Sequence, residues 1–410
     1  MSRAVRILYV DTAQSVGGSV ISLYHLVRRL DRQRFEPVLL SYSDHAYVPR
    51  FRELGVEVII RAATLPAGTA APHWSDTVRH TGPVRLLTRN RLTTWLYHLA
   101  GFWVKRLPRL VKEAWAIRRI IREERIDLVH CNVRVGTDRA AILGAALAGV
   151  PCISHVRDYD HLHLLDQLVA RLVTRYIYIS QAVARRHWAQ GVSTRKGHVV
   201  YNGVDPDQFR RRSDQATIRR QLGLSEKDRV VGVVGRLEAW KGQHVFLQAL
   251  ADAASQIPDC QGLVVGEAEP YSMDYRDYLV SMVEDLNLGH RVHFLGFRAD
   301  IPELLSVLDV LVSPSAVGEP FGRTIVEGMA AGIPVIATAA GAVPEIVEDG
   351  VTGLLVPPQD AKSLSRAIVS LLTNGGDVEQ MGQMARQRVA ERFTAQQTAA
   401  SVQAIYEELL

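Results

Sequence analysis

Two cations and two carboxylates in the second half of the chain have the types and spacing for chemistry. Arg236 and Lys241 lie in Gly235-Arg236-Leu237-Glu238-Ala239-Trp240-Lys241-Gly242, after a strand-like run at 230–234 and before a stretch of helical spacing. Cations in a loop between a strand's carboxyl end and a helix's amino end can converge on one anion, reinforced by the free amides and dipole of the helix. A diphosphate fits this arrangement. The stretch is neither a Walker A sequence nor a Gly-x-Gly-x-x-Gly fingerprint, which weakens P-loop and NAD readings. The carboxylates lie in Glu319-Pro320-Phe321-Gly322-Arg323-Thr324-Ile325-Val326-Glu327. Pro320 and Gly322 mark a tight turn and a helix is expected over 324–330, which puts Glu319 in a loop and Glu327 on the helix. That geometry argues against a general acid and base sharing one helical face. A carboxylate accepting from two vicinal hydroxyls holds a ribose or hexose, and exposed amides around Phe321 and Gly322 would meet hydroxyl or phosphate oxygens.

The elements that must position these residues follow from patterning. At 410 residues the chain exceeds one hydrophobic core, so two domains are expected. β-Branched runs at 5–10, 36–41, 56–60, 127–131, 151–156 and 176–179 alternate with helical spacing at 19–30 and 137–148, the signature of a parallel sheet wrapped by helices. The pattern restarts after Asn202-Gly203-Val204-Asp205-Pro206, with strands at 229–234, 262–266, 291–295, 309–312, 334–337 and 353–356 and helices at 243–254 and 275–287. The expected architecture is α/β, two Rossmann-like domains facing each other across a cleft. Residues 1–200 are expected to form the first domain, 201–390 the second, and 391–410 a C-terminal helix bracing the two. Ligands in such sheets bind outside the carboxyl ends of the strands.

The two signatures, in this order and spacing, resemble those of the retaining glycosyltransferases of the GT-B fold in the family-4 group (glycosyl transferases group 1). Gly17-Gly18 after the first strand, Asn202-Gly203-Val204-Asp205, Phe294-Leu295-Gly296-Phe297 and the segment from Gly341 to Pro357 also look like the family. The resemblance covers nearly all of the C-terminal half strongly and the N-terminal half weakly. It implies a nucleotide-sugar donor, a UDP-sugar first and a GDP-sugar next, and a hydroxyl acceptor on a glycan or lipid-linked carrier in cell-envelope polysaccharide or glycolipid synthesis. Arg236 and Lys241 would bind the donor diphosphate and stabilise it as it leaves. Glu327 would accept from the ribose, Glu319 would contact the transferred sugar with help from amides near Phe321 and Gly322, and the base would rest at 296–298, beside Phe297. Gly17 and Gly18 would let their loop approach the phosphates, His155 would contact the donor sugar, and Arg157 and Asp158 would contact the acceptor. Front-face substitution, in which donor phosphate helps deprotonate the acceptor, leaves no protein base to assign. Nothing like an Asp-x-Asp metal site lies within the two signatures, so neither metal nor cofactor is expected. Arg323 departs from the family, many members of which have an apolar residue there, and Ser19 is a second departure.

The net charge of +5 is unevenly spread, because residues 79–125 hold 12 Lys or Arg against 3 Glu. Trp95, Phe102, Trp103 and Trp115 lie among these cations, and Leu92, Leu96, Leu99, Trp103, Leu107 and Leu110 have near-helical spacing. Two readings stay open: a surface lying on an anionic membrane, or an apolar stripe packed on the first sheet with its cations in solvent. Nucleic-acid binding is not expected, since no module for it is present. Cys131, Cys152 and Cys260 are scattered, which gives neither a disulfide framework nor a zinc site. Neither a signal-peptide core nor a spanning run is read, so a cytoplasmic location is expected, at most peripheral at the inner face of the membrane. The oligomeric state is not readable. The alternatives are a dinucleotide-dependent oxidoreductase, which lacks its glycine fingerprint, and a non-catalytic nucleotide-sugar or membrane-binding scaffold.

Overall fold

The structure, a computed structural model, describes residues 3–13, 16–61, 107–210, 214–269 and 272–410. Two all-parallel sheets organise the chain. The first contains β1 (Val5–Asp11), β2 (Phe35–Ser41), β3 (Glu57–Ile60), β4 (Leu128–Cys131), β5 (Cys152–Val156), β6 (Arg175–Tyr178) and β7 (Gly197–Val199), in the order β3-β2-β1-β4-β5-β6-β7. The second contains β8 (Arg229–Val234), β9 (Cys260–Val265), β10 (Val292–Gly296), β11 (Val310–Ser313), β12 (Val335–Thr338) and β13 (Leu354–Val356), in the order β10-β9-β8-β11-β12-β13. Central strands such as β4, β5, β11 and β12 are buried along their whole length, as sheets covered by helices on both faces require. In each sheet the chain winds outward from the first strand, returns and continues on the other side. The reversal creates a switch point between β1 and β4 and another between β8 and β11, where ligands of doubly wound sheets bind.

The chain divides into two compact units. The first comprises Met1–Ile179, Val183–Val200 and Val402–Leu410, and the second Ser180–Ala182 and Tyr201–Ser401. This differs in detail from the expected division at 200 and 390. Three residues after β6 count with the second unit, and the last nine count with the first, because Tyr406 is fully buried against Tyr9 and His130. In the second unit, a Cβ on Gly203 would sit 2.1 Å from the Thr394 carbonyl carbon, so the Asn202-Gly203-Val204-Asp205 motif marks a backbone crossing. Val204 bridges Thr394 there, with Val204 N donating to Phe393 O and Ala395 N donating to Val204 O.

Of the basic segment, residues 79–106 lie outside the described residues. The helix Leu107–Glu123 buries Leu110, Ala114, Ile117 and Ile121 and leaves Val111 and Trp115 exposed, with Arg118 stacked over the Trp115 ring at 4.7 Å. Among the described residues no helix is long and apolar enough to cross a membrane.

Candidate functional site

Both signatures of the second half leave the carboxyl ends of strands that flank the β8/β11 switch point, and these strands are direct neighbours, with Val231 beside Val310. Their loops interlock backbone to backbone. Ala316 N donates to Trp240 O at 2.7 Å. Gly242, the N-cap of the helix Gln243–Ala254, has φ +76°, and a Cβ on it would lie 2.0 Å from Pro314 O. Only glycine meets both demands, the left-handed backbone and the contact.

This interlock brings Lys241 onto Glu319. The ammonium donates to Oε1 at 2.8 Å and Oε2 at 3.0 Å and lies 4.2 Å from the Trp240 ring centroid. Ser315 Oγ donates to the same Oε1. Glu319 is pinned further by its own backbone, which bridges Gly341 and accepts from Ala342 N at 2.8 Å. Arg236 is half-exposed and pairs with Glu238 at 3.4 Å, and the Trp240 indole donates to that same carboxylate at 2.6 Å. Each of the two cations thus has a carboxylate beside it, a pairing that strand-to-helix position alone does not disclose.

Glu327 lies on the helix Arg323–Ala331 and Glu319 in the loop before it, as the sequence implied. Glu327 is buried, which raises its pKa, while Arg323 opposes the rise through its charge and a 2.7 Å bond from Nε to Oε1. The Phe321 side chain is not available to a ligand. It is buried against Phe393 and Tyr201, and Gly322 is the N-cap of the helix. Phe297 is 67% exposed in the loop that follows β10.

The first-unit residues behave differently. Gly17 has an extended backbone (φ −131°), nothing lies within 4 Å of a Cβ built on it, and Gly18 begins a helix. Neither glycine has a positive φ. His155 is the next-to-last residue of β5, at the carboxyl end of the strand as the sequence implied, and is fully buried. Its neighbours fix its protonation. A guanidinium only donates, so Arg157 Nη2, 3.3 Å from His155 Nδ1, makes that nitrogen the acceptor and puts the proton on Nε2. His130 Nε2, 3.1 Å from the same Nδ1, must then donate. His130 Nδ1 accepts from the Tyr406 hydroxyl at 2.7 Å, which in turn accepts from Tyr9 at 3.0 Å. Burial, with the Arg157 charge behind it, pushes His130 down to about 3 and His155 well below the usual range, so both are neutral. His155 Nε2 has no hydrogen-bond partner among the described residues. His155 thus meets Arg157 and His130 through one nitrogen. Arg157 Nε donates to Asn132 Oδ1 at 2.8 Å, whereas Asp158 accepts from the Tyr159 amide and lies 4.0 Å from Arg134.

Several buried polar residues here were invisible in the sequence. Asp11, which closes β1, faces His45 Nε2 at 3.3 Å and Asn132 Nδ2 at 3.5 Å. Asp138 gathers the Thr12 hydroxyl and the Val133 and Arg134 amides, while burial pushes its carboxyl up to about 7 against those donors. In the second unit, Glu345 accepts from the amides of Gln181 and Ala182, each at 2.8 Å. Among the described residues no group of three or more His, Cys, Asp or Glu converges as metal ligands.

Residues 214–388 match the family Glycosyl transferases group 1, and residues 16–208 match Glycosyltransferase Family 4. The chain belongs to this glycosyltransferase family. Its two parallel sheets are those of the GT-B fold, and the oxidoreductase alternative falls with the assignment. A D-inositol 3-phosphate glycosyltransferase of Mycobacterium sp. (strain JLS) is 38% identical over 269 residues, 65% of this chain and 56% of that one. The chain therefore spans little more than half of that relative. The lipopolysaccharide core biosynthesis mannosyltransferase LpsB of Rhizobium meliloti is 29% identical over 214 residues, 52% of this chain and 61% of that one. Among solved structures, Anabaena HepE in complex with UDP and glucose superposes with a TM-score of 0.79 at 25% identity, covering 99% of this chain and 100% of that one.

Proposed function

We propose that this glycosyltransferase-family member is a retaining, metal-independent transferase moving a sugar from a nucleoside diphosphate to a hydroxyl of a glycan or lipid-linked acceptor. The observation that carries the reading is the interlock at the β8/β11 switch point. It sets Lys241 on Glu319 from 78 positions away and gathers both signatures at the carboxyl ends of adjacent strands. UDP is the favoured carrier, with GDP next; HepE, solved with UDP and glucose and with UDP-glucose, supports UDP.

In this reading the bond from the anomeric carbon to the diphosphate oxygen breaks, and its electron pair stays on the phosphate, neutralised by Arg236 and Lys241. Placing fixed charge where negative charge develops is the largest single contribution such a site can make. The acceptor oxygen forms the new bond on the same face, and its proton passes to the departing phosphate oxygen. Glu319, relieved of part of its hold on Lys241, accepts from the sugar hydroxyls. Glu327 holds the ribose, and Phe297 lies against the base.

The acceptor belongs to cell-envelope polysaccharide or glycolipid synthesis, met from the cytoplasmic side of the membrane. The outward face of the helix Leu107–Glu123, with Arg109, Val111, Lys112 and Trp115, supports contact with anionic lipid. Cosedimentation with anionic vesicles but not with neutral ones is the expected result. Calorimetric titration with UDP, GDP and UDP-glucose tests the donor, and anomeric proton NMR of the product tests retention. Activity that survives EDTA tests metal independence. If no nucleotide binds, or if Glu327→Ala binds as the parent does, the reading fails.

A further inference from the structure

Arg323 breaks two local rules at once. A cation at the first residue of a helix opposes the positive end of the helix dipole, and Arg placed four residues before Glu is the weaker order for such a pair. Yet Arg323 opens the helix Arg323–Ala331 and reaches Glu327 one turn on. Both side chains are largely withdrawn from solvent, 15% and 10% exposed. Among the described residues, the bond from Arg323 Nε to Oε1 is the hydrogen bond that the Glu327 carboxylate receives. Helix energetics do not account for this residue.

The terminal torsion of a glutamate is broad, so a carboxylate turns easily unless something fixes its plane. Held freely, its two oxygens would serve both vicinal hydroxyls of a ribose alike. We propose that Arg323 is a positioning residue for the nucleotide: by holding Glu327 Oε1 it fixes the carboxylate plane and leaves Oε2 to accept from a single ribose hydroxyl. The site would then read one of the two hydroxyls of a nucleoside diphosphate instead of both. This rests on the reading that Glu327 meets the donor ribose.

The test is calorimetric titration of the full chain, its Arg323→Leu and Arg323→Lys variants and Glu327→Ala with UDP, 2′-deoxy-UDP and 3′-deoxy-UDP. The parent should bind one deoxy analogue about tenfold more weakly than UDP and the other within about twofold, the worth of one hydrogen bond to a charged group. Arg323→Leu should bring the two deoxy analogues within about twofold of each other, and Arg323→Lys should restore part of the difference. Arg323→Met serves equally where the leucine variant does not fold, since both remove the donor. A purely structural role would weaken all three ligands by one factor and leave the ratio unmoved, which would overturn the proposal. So would a parent that binds both analogues equally while Glu327→Ala weakens UDP. If Glu327→Ala leaves UDP binding intact, the nucleotide reading itself falls.

Discussion

Replacing Tyr406 with phenylalanine removes one oxygen and two hydrogen bonds from a place that water does not reach. Tyr9, His130 and Tyr406 are all fully buried, so neither lost partner is compensated by solvent. His130 Nδ1 cannot recover by changing tautomer, because its Nε2 proton is held toward His155 Nδ1, an acceptor that Arg157 also occupies. A buried polar group left unsatisfied costs about 1–3 kcal/mol, so two together should cost roughly 2–6 kcal/mol. For a unit of about 200 residues each kcal/mol lowers Tm by about 2–4 °C, which gives a fall of roughly 4–24 °C in the transition of the first unit. Tyr9→Phe removes one of the two bonds and should cost about 1 kcal/mol, and adding it to Tyr406→Phe should cost almost nothing more. Thermal and urea unfolding of the single and double variants provide the cycle, and selective ¹⁵N-histidine NMR reads the tautomers directly. A Tyr406→Phe variant within about 0.5 kcal/mol of the parent, or an Nδ1-protonated His155, would refute the proton order derived from the geometry.

Three further outcomes are expected. His130 at about 3 binds its proton more weakly folded than unfolded. Its stability contribution is complete above the ordinary histidine range and should be lost at up to about 1.4 kcal/mol per pH unit as pH falls from about 6.5 toward 3, measurable by urea melts across that window. Glu345→Ala removes two charge-assisted bonds, which should speed hydrogen exchange at the Gln181 and Ala182 amides at least about tenfold; unchanged protection there would show that the carboxylate contributes nothing. Gly203→Ala puts a methyl group into the Thr394 backbone and should cost about 3 kcal/mol or more, so an alanine variant as stable as the parent would contradict the crossing.

The fold was legible because its central strands are short apolar runs buried on both faces, a pattern that survives without knowledge of neighbours. β7 escaped because Gly197–Val199 is three residues long at a sheet edge and only partly buried, with no run to notice. At the site, the residue types were readable and the pairings were not. Lys241 and Glu319 each announce themselves in a local motif, but their contact exists only because β8 and β11 are neighbours. The partners of His155 were hidden for a related reason. His130 and Arg157 meet its Nδ1, and Tyr406 meets His130 from a distant part of the chain. Asp11 and Asp138 carried no signal at all, since a lone carboxylate after a strand or inside a helix is ordinary until its donors are known.

The last nine residues count with the first unit, and this has a consequence for how the protein is made. When residue 200 leaves the ribosome, the strands of the first sheet have all been synthesised, but Tyr9 and His130 still lack the phenol that joins them. About 200 more residues must be translated before Tyr406 arrives, roughly 10–40 s at ordinary elongation rates. During that interval the first unit waits with part of its interior unsealed while the second is built and can fold ahead of it. The half synthesised first is thus the half completed last. Newly made chains should lean on chaperones over this window, and a truncation that removes Tyr406 should hurt the N-terminal half of the protein, not the end from which it was cut.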